Sequence, residues 1–505
     1  MTTTGVGGPG LRHDEARGRW VLLATVLGSG MAFLDGTVVN VALPAIGESL
    51  DTDIAGLQWT VNAYTLTLAS FILLGGSAGD RFGRRRMFML GVAGFAVASA
   101  LCGLAPNIET LVAARALQGV AGALLTPGSL AILQASFREE DRGRVIGAWS
   151  GLGGVAAAVG PFLGGWLVEA VSWRLVFLIN LPLAAIVLLV TVRHVPESRD
   201  TTSVPGFDVT GSALTVLALV GVSYGLVSWG ELGAADPATW LPLLLGVAAG
   251  VSFVFVERRS PHPMLPLDIF ASRLFTSVNI VTFLVYAALS GIFFMLVLVL
   301  QVGAGFRPML AGAALMPVTI VMLLLSERAG LLSQRIGPRI PMTVGPLISA
   351  AGTLLMLRVD AGASYVLDVL PAVTLFGLGL AATVAPLTTT VLAAAPVEHA
   401  GAASGVNNAV ARTAGLLVVA ALPALVGLGA EAYDQPAAML DAFHGAVLVC
   451  AGLLVVGALL SAVLVRPDDL RPEPDTAERP QPEALCRRHC AVNAPPLQPT
   501  ERPAA

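Results

Sequence analysis

Long apolar runs separated by short arginine-bearing loops are the dominant pattern of this chain. A helix needs about 20 apolar residues to cross roughly 30 Å of hydrocarbon. Runs of that kind fall at about 20–43, 58–79, 87–105, 110–134, 144–170, 174–192, 208–230, 240–256, 274–301, 310–326, 341–357, 365–394, 404–428 and 443–465, which predicts fourteen spans. One run breaks two rules at once. RALQGVAGALLTPGSLAIL (Arg115–Leu133) opens on an arginine and carries a proline. A charge at the centre of a membrane helix costs roughly 2.5–3.5 kcal/mol on insertion scales, and an interior proline forfeits a backbone hydrogen bond.

Composition agrees with the pattern. Of the 505 residues, 55% are hydrophobic and 12% charged, and the mean hydropathy is +0.79. Soluble domains run at about 25% charged, so an all-α, polytopic membrane protein is expected rather than an enzyme. The net charge of -4 matters less than where the charge sits. With the N-terminus inside, the inward segments hold 24 arginines and the outward loops 3 (Arg174, Arg307 and Arg358). Such asymmetry places both termini in the cytoplasm. Arg115 and Arg412 remain within the membrane. No cleavable signal peptide is expected. Cys486, His489 and Cys490 lie in a tail with no visible fourth ligand or folded frame, so no metal is expected there.

The chain also repeats itself. GDRFGRRR (Gly79–Arg86) after span 2 is echoed by SQRIGPR (Ser333–Arg339) after span 10. LQGVAGALLTP in span 4 is echoed by LFGLGLAATVAP in span 12. The predicted organisation is a cytoplasmic N-terminal tail (1–19), a six-helix N-half (20–192) and a linker with two extra helices (193–273). A six-helix C-half (274–465) and a disordered cytoplasmic tail (466–505) follow. Transporters are often built from such repeats, with the substrate site near the midplane.

Four stretches stand in register: LDGTVVNVALP (Leu34–Pro44), GGSAGDRFGRRR (Gly75–Arg86), RALQGVAGALLTPGS from Arg115, and GAWSGLGGVAAAVGPFLGGWL (Gly147–Leu167). In this order and spacing the chain resembles the major facilitator superfamily, specifically its 14-span drug:proton antiporters, over about residues 20–465. ERRSPHPMLPLDIF (Glu257–Phe270) resembles that group's junction after the extra spans. Ala156 stands where the long span-5 motif has Gly, Ala78 where the loop motif has Leu, and Gln334 where the first-half loop has Asp80. The last departure suggests that only the first-half gate is ionic.

Asp35 is the leading candidate acid. At 1.5 Å per residue it lies about 12 Å from the outer end of span 1, and Arg115 about 8 Å from the outer end of span 4. Their depths permit direct or water-bridged pairing. One reading makes Asp35 the proton-coupling acid tuned by Arg115, because a neighbouring cation favours the carboxylate and desolvation disfavours it. The other is a static ion pair joining spans 1 and 4. The resemblance implies that the loop residues Gly79, Asp80, Arg81, Gly83, Arg84 and Arg85 latch a cytoplasmic gate, with Glu140 and Asp141 as candidate partners for Arg84. It also implies an antiporter bend at Gly160, Pro161, Gly164 and Gly165. Asn40, Trp59, Asn62, Tyr64, Gln118, Phe293, Phe294 and Arg412 are candidate cavity residues, each with ordinary packing as the alternative.

The expected function is proton-coupled export of amphipathic small molecules such as drugs, dyes or antibiotics, by alternating access in the cell membrane. A dedicated exporter of one endogenous metabolite or self-made antibiotic is the alternative on the same scaffold. An importer is disfavoured by GPFLGG, and a membrane sensor by the absence of a visible signalling domain. Protons, the substrate and the bilayer are the expected partners. A monomer is expected, with no nucleic acid and no cofactor, since no nucleotide-binding loop is visible.

Overall fold

Helices account for nearly all of the computed structural model, which describes residues 11–199, 208–233, 235–260, 265, 267–394, 400–429 and 435–465. Lipid offers no hydrogen bonds to backbone, so each span must satisfy its own. The first six are α1 (Ala16–Leu50), α2 (Ile54–Phe82), α3 (Arg84–Gly103), α4 (Ile108–Ser136), α5 (Glu139–Ala170) and α6 (Leu175–His194). Next come α7 (Val209–Leu232) and α8 (Pro237–Arg259). The last six are α9 (Arg273–Gly303), α10 (Pro308–Ile336), α11 (Arg339–Arg358), α12 (Tyr365–Ala393), α13 (Ala400–Leu425) and α14 (Pro436–Leu464). Thirteen are long and apolar enough to cross a membrane, and α2, bent by 51° between Ile72 and Leu74, is the fourteenth if it counts as one span. The tail from 466, with Cys486, His489 and Cys490, lies outside the described residues.

Side-chain caps set several boundaries. Asp53 accepts from Gly56 N at the start of α2, Asn107 from Thr110 N at α4 and Ser272 from Phe275 N at α9. Each satisfies one of the amides that a helix start leaves unpaired. The helices overrun the apolar runs, as α1 does by passing through Pro44 to Leu50, because polar ends beyond the hydrocarbon remain helical. The internal repeat is visible in the backbone. Gly83 and Gly337, at matching places in the two arginine loops, have φ of +112° and +82°, a region that only glycine enters at little cost.

Glycines bring the helices of each half together. Gly91 of α3 lies against Leu125 of α4, and Gly164 of α5 against Val38 of α1. The repeat holds here as well: Gly119 of α4 abuts the α2 backbone at Tyr64, and Gly377 of α12 abuts α10 at Val318. Close approach through small residues is how membrane helices gain contact area without a hydrophobic driving force. The pair α7–α8 packs glycine to glycine, Gly221 against Gly246, and docks on α2 and α13 through Trp59–Tyr224 and Ala420–Val227. Only 11% of the apolar window of α8 is buried, so its outer surface faces lipid.

The halves are sealed at the end that carries few arginines. There Gln58 of α2 donates to the carbonyls of Val419 (2.6 Å) and Ala420 (2.9 Å) of α13. Gln301 of α9 donates to Val41 O of α1 at 3.1 Å, and Arg307 meets Glu169 at 3.6 Å. Gly312 of α10 rests on the carbonyl of Pro161 of α5. These hydrogen bonds and the ion pair join the halves at this end. A side chain at Gly312 has no room in the sealed state, where even Cβ would stand 2.8 Å from Pro161 C. Gly312→Leu should therefore lengthen the distance between spin labels at Asp51 and Ala361, read by double electron–electron resonance. An unchanged distance distribution in a folded variant would contradict this seal.

Candidate functional site

Asp35 sits in mid-α1 with no exposed surface, and Arg115 of α4 is 1% exposed. The two meet directly, Arg115 Nη1 to Asp35 Oδ2 at 2.5 Å. Arg115 Nε donates to Thr60 O of α2 at 2.9 Å, and Nη1 also reaches Gln118 Oε1 at 2.7 Å. Asp35 Oδ1 accepts from Gln118 Nε2 at 2.8 Å and from Asn180 Nδ2 of α6 at 3.2 Å. Both amides also donate to Ser99 Oγ of α3, at 2.8 and 3.1 Å. The guanidinium lies over the Tyr64 ring, 4.3 Å from its centroid. A buried charge survives only when paired and hydrogen-bonded, and here five helices supply the partners. Gln118 belongs to this network and not to the cavity where it was expected. Ser99, Asn180 and the Thr60 carbonyl were missed, although Asn180 is the only amide in the apolar run 174–192 and was legible on that ground.

The proline in α4 finds an equally specific accommodation. Pro127 cannot bond the Ala123 carbonyl, and that oxygen faces Gly75 of α2, where any larger residue would collide. In α5, Pro161 frees the Ala157 carbonyl, and the Thr37 hydroxyl of α1 reaches it at 3.2 Å. Gly160 and Gly164 pack on α1 at Thr37 and Val38, while Gly165 packs across the interface against Pro308 and Met309. Neighbouring helices thus take over what the prolines relinquish, and Thr37 ties the α5 proline to the helix carrying Asp35.

A central cavity of about 340 Å³ lies between the halves, lined from α1, α2, α5, α9 and α13. Asn40, Asn62, Tyr64, Phe293, Phe294 and Arg412 all line it. Trp59 does not. It faces a separate apolar groove with Ala63, Val112 and Tyr224, because its position on α2 points toward the inserted helix α7. Tyr64 stands between the cavity and Arg115, touching both. Arg412 Nε donates to Asn408 Oδ1 at 3.1 Å.

At the arginine-rich end, Arg84 pairs with Asp80 one turn away, Nη2 to Oδ1 at 2.8 Å. The expected partners do otherwise: Asp141 accepts from His13 N at 3.1 Å and Glu140 is exposed. The i,i+4 spacing of Asp80 and Arg84 makes the local pair cheaper to form than one across helices. Glu197, beyond α6, accepts from Arg85 N at 3.1 Å and lies 3.8 Å from Arg86 Nε. It holds the start of α3, where an acid also complements the helix dipole, and it was not foreseen.

Two six-helix halves around a central cavity, with a charged network buried within the spans, define a helical membrane transporter rather than an enzyme. The family model of the Major Facilitator Superfamily matches residues 25–420. The chain is 36% identical over 467 residues to the puromycin resistance protein pur8 of Streptomyces alboniger, covering 89% of this chain and 92% of that one. It is 36% identical over 423 residues to the tetracenomycin C resistance and export protein of Streptomyces glaucescens, covering 83% and 78%. A bacterial homologue of the human lysosomal transporter Spinster, solved inward-facing, superposes with a TM-score of 0.65 at 17% identity, covering 89% and 97%, which shows the shared fold. The chain belongs to the major facilitator superfamily and to its drug-efflux family, and it is a multi-pass membrane exporter of small molecules.

Removing one partner of a buried ion pair is worse than removing both, typically by about 3–5 kcal/mol. Arg115→Gln should therefore melt well below wild type in detergent, and Asp35→Asn/Arg115→Gln should recover much of the loss. Equal melting of the single and double variants would mean that the two charges are not coupled.

Proposed function

We propose that this exporter is a proton-coupled antiporter in which Asp35 carries the proton and Arg115 sets its affinity. The observation that carries this reading is a wholly buried carboxylate whose counter-charge is one arginine, inside a membrane-spanning bundle. Ionisable groups in such positions mark proton and substrate pathways. Any rearrangement that moves α4 relative to α1, or admits water, changes the surroundings of the Asp35 carboxyl and so loads or releases the proton. Tyr64 shares its ring with Arg115 and the cavity, which supplies a path by which substrate in the cavity disturbs the pair.

In this reading the arginine-rich end is cytoplasmic, following the positive-inside rule, and the described state opens inward. The Asp80–Arg84 pair and Glu197 stiffen the loop at that end, and rocking of the halves exposes the cavity to alternate sides. The driving force suffices. A hundredfold gradient costs about 2.7 kcal/mol, while one charge crossing 100 mV supplies about 2.3 kcal/mol and each pH unit about 1.4 kcal/mol. A second reading, export dedicated to one antibiotic, draws on the relatives named for single antibiotics. A substrate panel separates it from broad specificity.

The test uses purified protein in proteoliposomes with an imposed pH gradient. Asp35→Asn keeps the side-chain volume and removes the titratable group, so pH-driven efflux should fall to background. Melting should fall as well, because Arg115 loses its counter-charge, and Asp35→Asn/Arg115→Gln, which removes both charges, should recover melting without recovering pH-driven efflux. Undiminished pH-driven efflux in Asp35→Asn would end the coupling role.

A further inference from the structure

We propose that the central cavity selects an amphipathic substrate bearing an oxyanion, a carboxylate or phenolate, held between Arg412 of one half and Asn62 of the other. The inference rests on the exporter reading, since it names what that cavity carries. Arg412 is the only charged residue among the described residues lining the cavity, and no acid joins it there. Its Nε bonds the neutral Asn408, which leaves the rest of the guanidinium fork to a ligand. Such a fork matches a carboxylate with two parallel hydrogen bonds.

Asn62 supplies the second, independent observation. It is wholly buried, it lines the same cavity, and neither its Oδ1 nor its Nδ2 has a partner. Buried amides are nearly always hydrogen-bonded, so an unpartnered amide in a binding cavity is a polar group awaiting its ligand. The remaining walls include Val61, Leu289, Phe293 and Val419, which suit an apolar skeleton. Few placed polar groups in an apolar cavity are the usual means of orienting a small ligand.

The arrangement also disfavours cations. The nearby carboxylate, Asp35, is already paired with Arg115, has no exposed surface and does not line the cavity. A cationic substrate would meet Arg412 with no acid to offset the repulsion, and a built-in repulsion of this kind is a source of specificity.

Fluorescein and rhodamine 123 test the inference, because they share a xanthene skeleton and differ in the sign of their charge. Equilibrium binding to the full-length protein in detergent, without any gradient, should show fluorescein bound at least tenfold more tightly. Arg412→Gln should weaken fluorescein tenfold or more and erase the preference, and Arg412→Lys should retain the order. Asn62→Leu should weaken fluorescein severalfold. Thermal melts verify folding, and Arg412→Met replaces the Gln variant if that one does not fold. Wild-type protein that fails to bind fluorescein or prefers rhodamine 123 overturns the inference, as does unchanged fluorescein affinity in a folded Arg412→Gln variant. Arginine-dependent binding of fluorescein without gradient-driven movement in proteoliposomes would instead refute the transport reading and leave the cavity chemistry standing.

Discussion

A carboxylate and a guanidinium that must satisfy each other without water organise the N-half. The pair Asp35–Arg115 draws in Thr60, Ser99, Gln118 and Asn180, so α1, α2, α3, α4 and α6 all converge on one charge. Apolar packing alone would fill this space at lower electrostatic cost, because replacing buried ion pairs by hydrophobic residues is often neutral or stabilising. The C-half does so. Where the span-4 motif has Gln118, its echo in span 12 has the fully buried Phe376. The repeat therefore keeps its glycines and its loop turns in both halves and the buried ion pair in one. The proposed proton site and the proposed ligand arginine consequently sit in different halves, and Tyr64 lies between them.

Around that centre, motion is permitted by what the helices lack. Prolines 127 and 161 each strand a carbonyl, and each finds a neighbour suited to it, Gly75 in one case and the Thr37 hydroxyl in the other. Glycines at 160, 164 and 165 let α5 press on α1 and on α10 together. The seam between the halves combines a shared apolar cluster with a few polar contacts, such as those of Gln58 and Gln301, and has no broad charged interface among the described residues. Such contacts can be exchanged for water at modest cost, since an intramolecular hydrogen bond contributes only about 0.5–1.5 kcal/mol net.

The spans and the two halves were legible in the sequence because twenty apolar residues in a row have few other uses, and arginine asymmetry fixes their alternation. Asp35 and Arg115 were legible because a charge inside an apolar run needs a partner at similar depth. The faces of the helices were not legible. Gln118 and Trp59 are spaced as cavity residues could be, yet one turns into the ionic network and the other toward α7. Hydropathy that is high all round a helix gives no stripe to orient it. Glu197 escaped notice because its partner Arg85 lies 112 residues away, and nothing in a loop acid announces which helix start it will hold. Arg84 was assigned distant partners although Asp80, at the ideal helical spacing, was already in its own motif.

The central claim is that the Asp35 carboxyl is the group that takes and releases the proton. Infrared difference spectroscopy across a pH titration reads this directly, through the carbonyl stretch of a protonated carboxylic acid in the purified protein. The chain holds 33 Asp and Glu, so the signal is the component of that band that a transported substrate shifts, which wild type should gain as the pH falls and Asp35→Asn should lack. An identical substrate-sensitive component in Asp35→Asn, or none in wild type at any pH that supports transport, would contradict the account.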